Sequence, residues 1–189
     1  MKRQVLSGSF FVQSLSPSPT FNRTSFIVTD SHSKFLGAFG AHPDHDAHLL
    51  STLSAIQILT AQDALDKVDV DRVVKCTSPH YPIQVTPSPT DTPHPVILSL
   101  HQPSGVFAGD QFGEIDTRFL YCAVSALSLL GRLHELDKDG KREKTVEYIL
   151  RCRNYDGGFG SCVGAESHAA QGSFVRSFFF FLSDDDDDG

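Results

Sequence analysis

Three glycine–aromatic turns punctuate this chain of 189 residues, and their recurrence limits the folds open to it more than any other feature. The turns read Gly37-Ala-Phe-Gly40, Gly105-Val-Phe-Ala-Gly-Asp110 and Asp156-Gly-Gly-Phe-Gly160. Each is followed by a short polar loop and then by apolar residues at helical spacing. A turn that recurs with a period of about 50 residues is typical of an array of helical hairpins.

The spacing of the turns is uneven, and the excess can be located. Phe107 and Phe159 lie 52 positions apart, whereas Phe39 and Phe107 lie 68 apart. Residues 77–96 hold six prolines, which exclude a helix there. Because helical or apolar patterns flank this stretch on both sides, we interpret it as an insertion within one repeat.

Apolar residues at steps of three and four predict helices over 47–65, 117–133 and 143–152. Asp46 is the expected N-cap of the first helix, since its carboxylate can accept a hydrogen bond from the first turn. A fourth helix begins at His168 and is expected to break off near Gln171, where the pattern changes.

The pattern divides the chain into five parts. We predict an irregular, disordered segment over 1–33, one repeat over 34–76, the proline-rich insertion over 77–96, further repeats over 97–171 and an irregular phenylalanine-rich, acidic tail over 172–189. Neither end has the helical periodicity of the middle. Our hypothesis is that both ends and the insertion are translated non-coding sequence or come from an incorrect gene model.

Composition narrows the class of protein. The chain carries 23 acidic and 16 basic residues, and it has no basic cluster that would favour nucleic-acid binding. Its start lacks the apolar core of a signal peptide, and the apolar run Phe178 to Leu182 is too short to cross a bilayer. The four cysteines contain no C-x-x-C pair, which favours free thiols in the cytoplasm.

Three blocks of sequence carry a resemblance to a known family. They are Asp110-Gln-Phe-Gly-Glu-Ile-Asp-Thr-Arg-Phe-Leu-Tyr-Cys-Ala, then Asn154-Tyr-Asp-Gly-Gly-Phe-Gly with Glu166-Ser-His-Ala, and His48-Leu-Leu-Ser-Thr-Leu-Ser-Ala-Ile-Gln-Ile-Leu. Together they resemble the β subunits of protein prenyltransferases. The stretch Glu114-Ile-Asp-Thr-Arg-Phe is similar to the Rab geranylgeranyltransferase (type II) branch.

The resemblance implies an all-α fold, an incomplete α-α toroid with about three helical hairpins of a six-hairpin barrel. It implies transfer of a geranylgeranyl group from geranylgeranyl diphosphate to the C-terminal cysteines of Rab GTPases. The implied partners are a prenyltransferase α subunit and a Rab GTPase with its escort protein. We expect this chain to be an inactive form, either truncated or drawn from an incorrect gene model.

Two alternatives to this function remain open. The chain is a non-catalytic helical-repeat binding module that keeps part of the toroid, or it is a farnesyl or type I geranylgeranyl transferase β subunit. The residues that set lipid length lie mostly outside the blocks that carry the resemblance.

The resemblance assigns the diphosphate-binding role to the start of the fourth helix. His168 matches the family's diphosphate-contacting histidine, and the small residues Ala169 and Ala170 let a ligand approach the helix N-terminus. The alternative is that His168 only caps the helix or lies on the surface.

The resemblance also assigns Arg118 and Tyr121, three positions apart on one helix face, to the isoprenoid pocket. The alternative is that Tyr121 belongs to an ordinary core and that Arg118 pairs with Glu114 or Asp116.

The family's metal site has no counterpart in the sequence. Its zinc is held by an Asp-x-Cys pair and a later histidine, and no Asp-x-Cys occurs in the 189 residues. We therefore assign no catalytic residue and no metal ligand. His42, His45 and His48 recur every three positions, but they enter a helix and we interpret them as a surface feature and not as a metal site.

Overall fold

A computed structural model describes residues 3–7, 10–14, 26–27, 38–41, 45–75 and 97–183. The α-helices of these ranges are α1 Leu49–Ala61, α2 Val70–Val74, α3 Thr117–Leu129, α4 Lys141–Arg151 and α5 Ala169–Ser183. Short 3₁₀ helices cover Leu65–Lys67, Ile97–Leu100 and Leu133–Gly140. The proline-rich insertion and the terminal acidic run lie outside the described residues.

Strands occur in the N-terminal segment that the sequence predicts to be irregular. Arg3–Ser7 (β1), Phe10–Ser14 (β2) and Phe26–Ile27 (β3) form an antiparallel sheet in the order β1-β2-β3. Arg3 pairs with Ser14 at one end of the β1–β2 ladder. Helical periodicity does not detect strands, because their side chains alternate with a period of two residues.

The first and third of the three glycine–aromatic turns, which we call corners, are closed by the same backbone hydrogen bond. The N–H of His48 donates to the carbonyl of Phe39 at 3.1 Å, and the N–H of His168 donates to the carbonyl of Phe159 at 3.1 Å. In the middle corner Asp116 also stands nine positions after its phenylalanine. A Cβ on Gly160 would lie 2.4 Å from the carbonyl oxygen of Ala165, so this approach requires glycine.

The residue nine positions after each phenylalanine begins a helix as its N-cap. The Nδ1 of His48 accepts from the N–H of Leu50 at 3.1 Å, and Asp116 Oδ1 accepts from the N–H of Arg118 at 2.8 Å. The predicted N-cap Asp46 was therefore wrong for α1, which begins two residues later than expected. His48 is fixed there because the corner holds its backbone.

Each of the first two corner-started helices is also bonded to the next corner along the chain. The N–H of Leu49 donates to the carbonyl of Gly109 at 2.8 Å, and the N–H of Thr117 donates to that of Ser161 at 2.8 Å. These bonds join successive repeats by the same contact. As a result α1 packs on α3, and α3 packs on α5.

The core lies between these packed helices. Its largest fully buried side chains include Phe107, Phe119, Leu120, Leu127 and Ile56. Aromatic and branched side chains of α3 therefore meet those of α1 on one side and of α5 on the other.

The prediction of an irregular tail from residue 172 was wrong for residues 172–183, which continue α5. Val175 and Phe178, three positions apart, are 4% and 1% exposed and belong to the core. Phe180 is 63% exposed on another face of the helix. The phenylalanine-rich run thus adds to the core, and burial against α3 overrides its weak helical pattern. None of the described helices is both long and apolar enough to span a bilayer.

A buried carboxylate joins the end of α2 to the 3₁₀ segment before α4. Glu135 is only 2% exposed, and it contacts Lys75 through Oε1 and Lys138 through Oε2, the latter at 2.8 Å. Lys138 and then Lys75 hold the pKa of Glu135 down at about 2, against an ordinary value of 4.5. The ion pair therefore fixes the residue at which the chain enters the proline-rich insertion.

Replacing Phe178 with alanine should test whether α5 belongs to the folded core. We expect Phe178→Ala to lower the free energy of unfolding by about 3 kcal/mol, because it opens a cavity, as large-to-small core substitutions do. Phe180→Ala, on the exposed face of the same helix, should change it by less than about 0.5 kcal/mol. Equal, small effects of both changes in urea unfolding would contradict the packing of α5.

Glu135→Gln should change the acid sensitivity of the chain. Because the folded-state pKa is below the ordinary value, the carboxylate's contribution is complete above about pH 4.5 and is lost as the pH falls toward 2. We expect the variant to lose about 2 kcal/mol at pH 7, between exposed and buried ion pairs, and less at pH 3. Thermal unfolding from pH 3 to 7 measures this, with the exposed Glu147→Gln as control; a pH-independent difference would refute it.

Candidate functional site

Helices α1, α3 and α5 each begin at a corner, and their N-termini form the candidate site. Their first capping residues are His48, Asp116 and His168. A helix N-terminus favours anions through its partial positive charge and its free N–H groups. Which of these termini can receive a ligand depends on what each capping side chain already contacts.

His168 is exposed, and its ring orientation is set by its own helix. Its Nδ1 accepts from the N–H of Ala170 at 3.2 Å, so the ring proton of the neutral imidazole lies on Nε2. Among the described residues no acceptor binds that Nε2–H. The ring of His168 therefore presents its Nε2–H to solvent at the exposed start of α5.

Most backbone N–H groups at this helix start are already bonded. Those of Gln171 and Gly172 donate to the carbonyl of His168, and that of Ala170 donates to the His168 ring. At the start of α5, the N–H of Ala169 is the one backbone donor that has no acceptor among the described residues. The imidazole and one backbone amide, and not a full turn of amides, are thus the donors at the predicted anion site.

His48 occupies the equivalent position on α1 but is not free. Its Nε2 lies 3.3 Å from Glu114 Oε2, and its ring packs edge-on against Phe119 at 5.3 Å between centroids. Because Nδ1 accepts from Leu50, the Nε2–H donates to the carboxylate. The two histidine caps therefore differ in their outer nitrogen: Nε2 of His48 is engaged by Glu114, whereas Nε2 of His168 has no partner among the described residues.

Arg118 lies among carboxylates. Its guanidinium is 3.1 Å from Glu114 and 3.3 Å from Asp116, and its Cζ lies 5.0 Å from the centroid of the Phe119 ring. This arrangement matches the ion-pair alternative that the sequence left open for Arg118. The assignment of Arg118 to an isoprenoid pocket stays a prediction.

Tyr121 packs against the phenylalanine-rich helix. Its ring centroid is 5.6 Å from that of Phe174 and 6.2 Å from that of Phe181, both on α5. All three rings are partly exposed. Tyr121 therefore belongs to an aromatic cluster between α3 and α5, and its role as a lipid contact stays a prediction.

Gln171 is a site residue that the sequence did not identify. It is 9% exposed, and its Oε1 accepts from the hydroxyl of Thr117 at 2.7 Å while its Nε2 donates to Asp116 at 3.3 Å. The first turn of α5 is thereby tied to the N-cap of α3. The only signal in the sequence was a polar residue at a helical position, which is too common to be informative.

One cluster in the described part of the chain has the composition of a metal site. His48, Asp110 and Glu114 offer atoms within 4.8 Å of one another. However, His48 Nε2 bears the proton, and Asp110 Oδ1 accepts from the N–H groups of Phe112, Gly113 and Glu114. His48 Nε2 and both carboxylate oxygens of Glu114 are already engaged within the protein, so this cluster does not fit zinc. His42 and His45 precede His48 at steps of three residues. His45 is exposed, and His42 lies outside the described residues.

The buried thiols are unsuited to nucleophilic or metal chemistry. Burial raises the pKa of Cys122 to about 12 and that of Cys152 to about 11. Both stay protonated near neutral pH, and both are free cysteines. They act as small core residues, in agreement with their apolar helical context.

Comparison with known proteins defines the class of this chain. A family model described as the prenyltransferase alpha-alpha toroid domain matches residues 7–80 and 89–183. The chain therefore belongs to the prenyltransferase α-α toroid family. The predicted family and fold class are confirmed, and the match extends through α5.

Three individual relatives are similar to this chain over about 70–78% of its length. The chain is 46% identical to the geranylgeranyl transferase type-2 subunit beta of Saccharomyces cerevisiae, over 78% of this chain and 38% of that protein. It is 42% identical to the subunit of the same name from Candida albicans, over 71% and 36%. A protein farnesyltransferase subunit beta from Schizosaccharomyces pombe is 28% identical over 70% and 29%. The chain spans less than two fifths of the length of these relatives.

Replacing Arg118 with methionine should reveal how much its ion pairs stabilise the corners. We expect a loss of about 1 kcal/mol in the free energy of unfolding, because Glu114 and Asp116 would be left to repel each other. The loss should shrink in 1 M salt, which screens exposed charges. Urea unfolding measures both values, with Arg153→Met as control; a loss that does not depend on salt would contradict this role.

Proposed function

We propose that this chain forms the diphosphate-binding part of a geranylgeranyl transferase type-2 β subunit. The observation that carries the proposal is the exposed His168 with its Nε2–H unengaged within the described residues. Support also comes from relatives of that name at 42–46% identity. The substrate would be geranylgeranyl diphosphate, and the acceptors would be C-terminal cysteines of Rab GTPases.

His168 would act on the leaving group. In prenyl transfer, negative charge builds up on the diphosphate as its bond to the isoprenoid carbon breaks. A donor already oriented toward solvent by its own helix can bind a phosphate oxygen without being reoriented. The unengaged N–H of Ala169 would add a second donor, and the dipole of α5 favours the same anion. Ala170 leaves room beside the ring because its side chain is a single methyl.

The lipid would lie against the aromatic cluster between α3 and α5. Tyr121, Phe174 and Phe181 present partly exposed ring surface there. Burial of each CH₂ of the isoprenoid would contribute about 0.8 kcal/mol. Arg118, one turn from Tyr121 toward the helix start, would place a guanidinium near the head of the lipid. Its carboxylate partners reduce the net positive charge that it offers.

The whole reaction would require more than this chain supplies. Zinc, which activates the acceptor thiol in the family, finds no fitting ligand set among the described residues, and no Asp-x-Cys occurs in the 189 residues. We therefore propose diphosphate and lipid binding for these residues and derive no step through the metal. An α subunit, and a Rab GTPase delivered by its escort protein in the cytoplasm, would be the partners of the complete enzyme.

A second candidate function is binding without transfer. The unengaged Nε2–H of His168 would serve a non-catalytic helical-repeat module as well, because binding a diphosphate does not require the zinc site. A transfer assay with the purified chain, an α subunit, zinc and geranylgeranyl diphosphate separates the two. Lipid attached to a Rab protein supports the enzyme, and tight lipid binding without attachment supports the module.

His168→Asn should weaken binding of geranylgeranyl diphosphate while the helix stays capped. Asparagine is a good N-cap, but its side chain is too short to replace the outer nitrogen of the ring. We expect about a tenfold loss of affinity in calorimetric titration of the full chain, the value of one hydrogen bond to a charged group. Binding of geranylgeraniol, which lacks the diphosphate, should be unchanged.

The matched control is His48→Asn. It removes the equivalent ring at the start of α1, where Nε2 is engaged by Glu114. Affinity for geranylgeranyl diphosphate should change less than twofold. Equal losses in both variants, or no loss in His168→Asn, would refute the assignment of the diphosphate to His168.

A further inference from the structure

The loop that precedes His168 is closed by side-chain hydrogen bonds centred on Ser167. Its hydroxyl donates to Asp156 Oδ1 at 2.7 Å, and its oxygen accepts from the Nδ2 of Asn154 at 2.9 Å. The same Nδ2 donates to the carbonyl of Ala165 at 2.8 Å. We call Asn154, Asp156 and Ser167 the corner lock.

The corner lock connects the glycine–aromatic turn of the third corner to the loop that leads to His168. Asp156 Oδ1 also accepts from the N–H of Gly158 at 2.9 Å, so one carboxylate holds the turn and the loop that returns from it. Ser167 first, and then the N–H of Gly158, hold the pKa of Asp156 below its ordinary value. The carboxylate is thus an acceptor over the whole neutral range.

Ser167 is the direct neighbour of His168 in sequence. The backbone of His168 is held by its N–H bond to Phe159, and its ring is held by the N–H of Ala170. The corner lock restrains the backbone just before these two contacts. Any movement of Ser167 would rotate the peptide that carries His168 and would loosen the cap that keeps the proton on Nε2.

The middle corner shows that a corner does not need such a lock to keep its shape. There Ser104 and Ile115 stand at the positions that Asp156 and Ser167 take relative to the corner phenylalanine. Ile115, the residue before the N-cap Asp116, has no polar side-chain atom that could form such a tie. The hydrogen bond from Ser167, the residue before the cap, to Asp156 therefore occurs at the corner that carries His168.

We propose that Asn154, Asp156 and Ser167 are positioning residues that fix the orientation and tautomer of His168 for diphosphate binding. The inference rests on the proposed function, since it names what makes the His168 donor ready for its ligand. A donor that is oriented in advance loses less entropy when it binds. The lock does not touch the ligand itself.

The test uses the full chain with 15N-labelled histidine. Long-range 1H–15N spectra report the tautomer of each ring, and His168→Asn assigns the His168 signals. Titration with inorganic pyrophosphate reports affinity in the same samples. The variants are Ser167→Ala and Asp156→Ala, which break the lock, and Asp156→Asn, which keeps an acceptor oxygen. Asp110→Ala is the control, because it removes the carboxylate whose hydrogen bonds hold the loop that follows Phe107 in the middle corner.

We expect the wild-type His168 ring to be in the Nε2–H form and to shift to a mixture of tautomers in Ser167→Ala and Asp156→Ala. Pyrophosphate affinity should fall about fivefold in both variants, the equivalent of about one hydrogen bond. Asp156→Asn should restore most of the wild-type tautomer and affinity, and Asp110→Ala should leave both unchanged.

Two outcomes would overturn the proposal. A wild-type tautomer in Ser167→Ala would show that the lock does not orient the ring, and an equal shift in Asp110→Ala would show a general effect of corner stability. If the wild-type chain binds no pyrophosphate, the proposed function fails, whereas the tautomer measurement still decides whether the lock positions His168.

Discussion

The structure depends on one repeated contact, the hydrogen bond from the first N–H of a helix to the carbonyl of the next corner. Leu49 and Gly109 make it between the first and second repeats, and Thr117 and Ser161 make it between the second and third. A helix start normally leaves its first N–H groups without partners. Here the neighbouring repeat supplies the acceptor, so helix capping and repeat packing become the same interaction.

This contact also explains why the candidate site lies at the helix starts. Because α1, α3 and α5 all begin beside a corner, their capping residues form an equivalent series, His48, Asp116 and His168. The surroundings then distinguish them. Glu114 engages the ring of His48, and Arg118 pairs with Asp116, whereas the outer nitrogen of His168 faces solvent. Of the three capping residues, the two histidines thus differ, and within the described residues the outer ring nitrogen of His168 has no partner.

The polar contacts between the helix starts also join the repeats to one another. Glu114 connects His48 to Arg118, and Asp116 connects Arg118 to Gln171 on α5. Asp116 and Gln171 are largely buried, where hydrogen bonds are stronger than at the open surface, whereas Glu114 is half exposed. Three helices are therefore held in register at the end where the proposed ligand would bind, while the apolar core holds them along their length.

The recurring glycine–phenylalanine turns indicated the helical-hairpin architecture, since local turn chemistry and apolar spacing are properties of short segments, and the resemblance of three sequence blocks indicated the family. The same local information placed the N-cap of α1 at Asp46, and it ended the last helix near Gln171. Tertiary contacts decided otherwise. The backbone bond from His48 to Phe39 sets the helix start, and burial of Val175 and Phe178 on α3 extends α5.

His168 could be named from its motif, because Glu-Ser-His-Ala after a glycine turn is a local pattern. The roles of Gln171 and of the corner lock were not visible in that way, since their partners lie 11 to 55 positions away in sequence. Whether a ring nitrogen is free or engaged is likewise a property of packing. The sequence by itself indicated the helical repeats and named His168, and only the tertiary structure decided where α1 begins and which capping ring has an unengaged nitrogen, because both depend on neighbours brought together by folding.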